Sequence, residues 1–213
     1  MTIHTKPGFA ISQRCFLIKT DHGNIMWDCI TYLDDKTVEY IRQLGGLKSI
    51  VISHPHYYST SVVWAETFGC NIYVSDYDKE FIMRPSKHYV MVKEDRFKPV
   101  SDVLVVRAGG HFPGSLVLLH KRRLYVGDTI LTTPAAKNAK QFQKDQVAFT
   151  ALWSYPNMIP LSLYEMKNLY EQLKDLEFDD AHTAFPGRDS YGDGTERLKI
   201  SFEILLSRYR IEK

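Results

Sequence analysis

The run Ser53-His54-Pro55-His56-Tyr57-Tyr58-Ser59 places two imidazoles one residue apart between two apolar segments. Upstream, Leu47-Lys48-Ser49-Ile50-Val51-Ile52 reads as a buried strand, and downstream Val62-Val63-Trp64-Ala65-Glu66-Thr67-Phe68 reads as a helix. The histidines therefore fall on a strand-to-helix loop, which can turn both rings toward one point. A metal that accepts nitrogen ligands can bind there. Alone, an HxH pair is equally readable as two solvated loop histidines, so its meaning depends on the rest of the chain.

Two later segments supply that context. Gly109-Gly110-His111-Phe112-Pro113-Gly114-Ser115 sets a third histidine in a glycine-rich turn between apolar strands. Leu124-Tyr125-Val126-Gly127-Asp128 ends another apolar strand in an aspartate. His54, His56, His111 and Asp128 then form a candidate coordination sphere, because three neutral imidazoles with water make a common catalytic zinc set. The competing reading of His111 is a turn residue bonded to backbone amides. The glycines on both sides and the place of the motif in the order favour ligation.

The bulk numbers fit this picture. The 213 residues, 44% hydrophobic and 24% charged, suffice for one domain with a sizeable core. We therefore expect residues 1–213 to form a single domain, and no linker rich in Pro, Gly or Ser interrupts them. A net charge of +2 argues against a dedicated nucleic-acid surface. Lys121-Arg122-Arg123, the one tight basic cluster, reads as a hairpin turn. No apolar run approaches the length of a membrane span. Cys15, Cys29 and Cys70 form no CxxC pair, and the start lacks a secretory apolar core, so reduced thiols and a cytoplasmic location are expected. The expected partner is a small-molecule substrate, with no nucleic acid and no membrane; the oligomeric state stays open.

Along the chain, Gln13–Ile18 and Ile25–Trp27 read as a hairpin around Asp21-His22-Gly23-Asn24. A helix from Asp35 to Leu44 stops at Gly45-Gly46. A strand at Asn71–Val74 follows the helix after the HxH loop. Tyr77–Arg96 reads as a short helix and a loop. Val103–Val106, Leu116–His120 and Leu124–Gly127 are strands. Thr132–Ala148 carries no hydrophobic period and reads as a surface loop or flap. Ser162-Leu163-Tyr164-Glu165 is a capping box opening a helix with Met166, Leu169, Tyr170 and Leu173 on its buried face. A strand near Ala181–Phe185 and a helix with Leu198, Phe202, Leu205 and Tyr209 close the chain. Strand groups alternating with helices, in two similar halves, suggest a sheet sandwich with helices outside.

Taken in order, these motifs resemble those of the metallo-β-lactamase fold superfamily. The resemblance covers about residues 9 to 190: Trp27-Asp28-Cys29 after the first hairpin, the HxH loop, Gly110-His111-Phe112-Pro113-Gly114-Ser115, Gly127-Asp128, and the late turn Phe185-Pro186-Gly187-Arg188. His54–Tyr58 and Ser154-Tyr155-Pro156-Asn157-Met158-Ile159-Pro160 look like those of a microbial branch of metallo-hydrolase-like proteins. The resemblance implies an α/β (α+β) fold, an αββα sandwich of two mixed β-sheets with helices on the outer faces and metal at the strand ends. It also implies that Asp28 orients the metal-binding loop.

The departures from the pattern are specific. The family's HxHxDH usually serves two metals; here its aspartate position is Tyr58 and its second-site histidine position is Ser59. The last family histidine is replaced by Arg188. All three changes fall on the second metal, and a second ion about 4 Å from the Arg188 charge would meet repulsion of about 4 kcal/mol at an effective dielectric near 20. His182 is the alternative late ligand. The expectation is one ion, zinc with iron as the alternative, on His54, His56, His111 and Asp128. Metal-bound hydroxide would attack an ester, thioester or lactone, with Asp128 as ligand or base. Tyr58 or Arg188 would stabilise an oxyanion or hold a substrate carboxylate. Two other readings stand beside it: a mononuclear non-haem iron thiol or persulfide oxygenase using His56, His111 and Asp128, and a non-catalytic metal-binding regulatory protein.

Overall fold

Central strands buried on both faces build two sheets that face each other. In the computed structural model, which describes residues 1–137 and 139–209, the first sheet has the order β1 (Thr2–His4), β2 (Arg14–Ile18), β3 (Ile25–Trp27), β4 (Ser49–Val51), β5 (Asn71–Ser75) and β6 (Tyr89–Val92). Its first three strands are antiparallel and β3 to β6 run parallel. The first two parallel steps are bridged by α1 (Asp35–Gln43) and α2 (Ser61–Phe68), and the third by the 3-10 segment Asp76–Phe81.

The second sheet contains β7 (Arg96–Val100), β8 (Val103–Arg107), β9 (Leu116–His120) and β10 (Arg123–Gly127) as an antiparallel meander. Short pairs β11 (Leu131–Thr132) with β12 (Phe149–Thr150), and β13 (Leu152–Ser154) with β14 (Ile159–Pro160), follow the meander. Then come α3 (Leu163–Leu173), β15 (Asp180–Thr183), which pairs parallel to β10, and α4 (Gly194–Ser207).

Three apolar clusters divide the molecule into four layers. Phe16, Ile18, Ile25, Trp27 and Val51 of the first sheet meet Val103, Val105, Leu116, Leu118 and Tyr125 of the second, forming the core between the sheets. Their strand neighbours point the other way. Cys15, Leu17, Met26, Ile50 and Ile72 pack with Ile41 of α1 and Val62, Trp64 and Ala65 of α2. Val106, Val117, Leu124 and Val126 pack with Met166, Leu169 and Leu173 of α3 and Leu198 and Phe202 of α4. The result is the αββα sandwich expected from the sequence. No helix among the described residues is long and apolar enough to cross a membrane.

The capping box at Ser162 and Glu165 forms as read, with both reciprocal bonds present. Two readings need correction, and one strand, Thr2–His4, is absent from the sequence reading. Tyr77–Arg96 holds β6 and the start of β7 beside a kinked 3-10 segment at Asp76–Phe81. Both β6 and β7 are edge strands, paired on one side only, so much of their surface stays exposed and the apolar alternation is diluted. Thr132–Ala148 is no free flap: Ala136 and Ala148 are fully buried, and the Ala148 and Phe149 amides bond the Ser201 hydroxyl of α4.

Candidate metal centre

Three loops at one end of the sandwich converge on a single point. His54 follows β4 and opens a one-turn 3-10 helix at Pro55–Tyr57, with Pro55 in the first position, where a missing N–H costs nothing. His111 sits in the glycine turn between β8 and β9. Asp128 follows β10. The loops are tied together: the Leu116 amide donates to the Ser53 carbonyl at 2.8 Å, joining the His111 turn to the HxH loop. Gly127 has φ +53°, and a Cβ there would stand 2.6 Å from the Ser53 hydroxyl oxygen. Only glycine lets the Asp128 loop approach the HxH loop so closely.

The ligand atoms are close and correctly aimed. One atom from each of His54, His56, His111 and Asp128 lies within 4.8 Å of all the others. His54 Nε2 is 3.2 Å from His56 Nδ1, which is 3.3 Å from His111 Nε2. His54 Nε2 is 3.5 Å from an Asp128 carboxylate oxygen. A tetrahedral ion with metal–nitrogen bonds of about 2.0–2.1 Å requires donor-to-donor edges of about 3.3–3.4 Å. One proton on His56 Nδ1 cannot satisfy both neighbouring nitrogens, whereas a cation among the four groups satisfies all of them. The donor set therefore fits one metal ion.

Outer partners fix the rings. His111 Nδ1 donates to the Trp153 carbonyl at 2.9 Å. A carbonyl only accepts, so the Nδ1 carries the proton and Nε2 keeps its lone pair for the cluster. His54 Nδ1 shares a 2.8 Å hydrogen bond with the Ser53 hydroxyl. The Ser53 amide in turn donates to the Asp28 carboxylate at 2.7 Å. Asp28 is buried at φ +59°, a left-handed conformation that aspartate tolerates better than most residues. It thus occupies the loop-orienting place that the resemblance assigned to it. Burial pushes its carboxyl up to about 7, against the favourable His54 and Ser53 interactions.

Asp128 is held by two tyrosines. The Tyr57 hydroxyl donates to its carboxylate at 3.2 Å, and the Tyr155 hydroxyl donates to its backbone carbonyl. Burial opposes ionisation of Asp128, but His54, His111 and the Tyr57 hydroxyl outweigh it and keep the carboxyl below its ordinary range. Burial pushes His111 down to about 4, with His54 adding to the effect, and burial also lowers His56. Neutral imidazoles are the form that binds metal.

Of the two adjacent tyrosines, the structure brings Tyr57 rather than Tyr58 to the cluster. Successive residues of a 3-10 turn point about a third of a turn apart. Tyr57 stacks edge-on against His54, with ring centroids 4.7 Å apart. Tyr58 turns into the helix-side core, its ring facing Tyr89. Ser59 is exposed. His182 lies within β15, between the rings of Phe16 and Tyr125 and 3.5 Å from Asp189, and it is not part of the cluster.

Arg188 does reach the site. It lines a cleft of about 690 Å³ together with His56, His111, Asp128, Ile11, Leu131, Thr132, Tyr155, Pro156, Phe185 and Pro186. The apolar walls and the Trp153 carbonyl are contributions the motifs did not single out. Tyr155, on the Ser154–Pro160 segment that the sequence reads as a rigid loop beside the site, reaches it as well. A backbone carbonyl leaves no mark in a sequence.

Three comparisons bear on this geometry. No family model matches the chain. It is 39% identical over 190 residues to the uncharacterized protein YmaE of Bacillus subtilis (strain 168), an alignment covering 86% of this chain and 66% of that protein. The chain thus spans slightly less than two thirds of that relative's length. Among solved structures, it is similar to TTHA1623 in a di-iron-bound form, with a TM-score of 0.64 and 14% identity over 90% of this chain and 94% of that one. It is also similar to the metallo-β-lactamase FIM-1 of Pseudomonas aeruginosa in its mono-zinc form, with a TM-score of 0.59 and 12% identity over 95% and 87%.

Proposed function

We propose that this chain, which has the metallo-β-lactamase fold, is a mononuclear metal-dependent hydrolase acting on an ester, thioester or lactone. The observation that carries the reading is the convergence of three imidazole nitrogens and one carboxylate on the floor of a mainly apolar cleft. His54, His56, His111 and Asp128 would hold the ion. When bound, such an ion lowers the pKa of water and polarises a carbonyl, supplying a nucleophile at neutral pH.

The protein's own groups do the rest. The Trp153 carbonyl and the Ser53 hydroxyl keep His111 and His54 oriented. Asp128 accepts a proton or ligates, with Tyr57 bonded to its carboxylate and Tyr155 to its carbonyl, so its position is fixed before substrate arrives. Leu131, Pro156, Phe185 and Pro186 exclude water from the acyl group. A single metal suffices because acyl transfer needs one polarised carbonyl and one activated water. At the positions where the resemblance would put second-ion ligands the chain has Tyr58, Ser59 and Arg188, none of which supplies a carboxylate or an imidazole.

The test is turnover by protein from zinc- or iron-supplemented growth, across a panel of esters, acyl thioesters and lactones. Acyl hydrolysis that a chelator abolishes and zinc restores is the expected result. Oxygen uptake with thiols or persulfides, and no acyl turnover, would replace this reading with an iron oxygenase. Bound metal with neither activity would leave a metal-binding regulatory protein.

A further inference from the structure

Among the residues lining the cleft, Asp128 brings the negative charge and belongs to the metal cluster, while Arg188 brings a positive charge that nothing nearby neutralises. The Arg188 backbone is fixed: its amide donates to the Phe185 carbonyl at 3.3 Å, and its carbonyl accepts from the Thr132 hydroxyl at 2.6 Å. Its side chain is exposed and forms no ion pair among the described residues.

The adjacent acid is committed to other partners. Asp189 is engaged by the Arg14 guanidinium, the Thr183 amide at 3.2 Å and the Tyr191 hydroxyl at 3.3 Å. Arg14 is anchored in turn by two bonds to the Thr183 carbonyl. Both members of this pair are nearly buried, at 6% and 10% side-chain exposure. The buried pair therefore holds the base of the turn, and the Asp189 carboxylate is engaged by Arg14 and His182 rather than by Arg188. Around Arg188 the cleft is apolar: Ile11, Leu131, Pro156, Phe185 and Pro186.

From this arrangement we infer that the substrate is an acyl compound with an apolar body and one carboxylate, the carboxylate bound by Arg188 and the body lying on the apolar wall. A guanidinium recognises a carboxylate through two parallel N–H bonds. One unpaired cation matches a monoanion, whereas a dianionic phosphate would call for further donors. The inference rests on the acyl-hydrolase reading for the bond that is broken, but not for the binding it describes.

Binding of fatty carboxylates to the metal-loaded protein tests it without turnover. Octanoate should bind at least about tenfold more tightly than the uncharged octanamide, the lower bound for a hydrogen bond to a charged group. Affinity should rise from butanoate to octanoate by up to about fourfold per buried methylene. Arg188→Gln should bring octanoate and octanamide within about twofold of each other at unchanged metal content, and Arg188→Lys should keep part of the preference. Unchanged preference in Arg188→Gln would mean that the carboxylate sits on the metal, and acetate binding as tightly as octanoate would mean that the wall is not used; either overturns the inference. No preference for octanoate over octanamide in the unsubstituted protein, with hydrolysis of neutral esters intact, would sink the inference alone. Persistence of the preference without any acyl turnover would sink the hydrolase reading alone.

Discussion

Replacing His111 by alanine is expected to leave the purified protein without bound metal and without metal-dependent activity. The Nδ1 proton of His111 is committed to the Trp153 carbonyl, so its Nε2 lone pair is available only to the cluster. Without it, His54, His56 and Asp128 remain, and His56 is the exposed member of the set. Removing an outer partner of a metal ligand costs about 10–100-fold in affinity. Removing the ligand itself should cost at least about a hundredfold, enough to empty the site during purification. Elemental analysis of the variant checks the loss. His54→Ala should behave alike, because its ring is the most buried of the three and touches both His56 and Asp128. Full metal occupancy in either variant would show that the ion, if bound, lies elsewhere.

Asp128→Asn should lower turnover by at least about a hundredfold, the low end for a positioned acid or base, while metal affinity falls less than in the histidine variants. The substitution is nearly isosteric. The amide oxygen can still accept from Tyr57, and the Tyr155 bond goes to the backbone carbonyl, which the change does not touch. Structure and packing should thus survive, and a fall in kcat reports on the lost negative charge or proton acceptor. Comparing kcat with metal content, both measured on the same preparation, separates those roles from ligation. Wild-type turnover in Asp128→Asn would show that the carboxylate is neither base nor necessary ligand.

The parts of this site that could be read from the sequence are those in which side-chain type carries the function. Three histidines and an aspartate at strand ends announce themselves by chemistry and order, and the structure brings all four together. Asp28 was legible for the same reason. Tyr57 and Tyr58 were not separable: both are tyrosines, and only the 3-10 turn after Pro55 decides which ring meets His54. The Trp153 carbonyl left no trace, since any residue supplies one. The Arg14–Asp189 pair joins residues 175 positions apart, a contact that no local pattern encodes.

The fold divides along the same line. Central strands such as Ile50-Val51 and Val105-Val106 carry continuous apolar runs because both of their faces are covered. The missed strands lie at edges. Arg96-Phe97-Lys98-Pro99-Val100 alternates exposed and half-buried positions, and Pro99 fits there because an edge strand can do without one ladder donor. The Thr132–Ala148 segment lacked a period because its anchors are isolated alanines and backbone amides on Ser201, which carry no amphipathic pattern.

The central claim is that one metal ion occupies a site made by three histidines and Asp128. The most direct measurement is the metal content per chain of protein purified without chelator after growth with added zinc or iron, with protein quantified independently. One ion per chain is the result this account predicts. Two tightly bound ions per chain would contradict it, because Tyr58, Ser59 and Arg188 would then leave room for a second site, and no bound ion after such growth would contradict it equally.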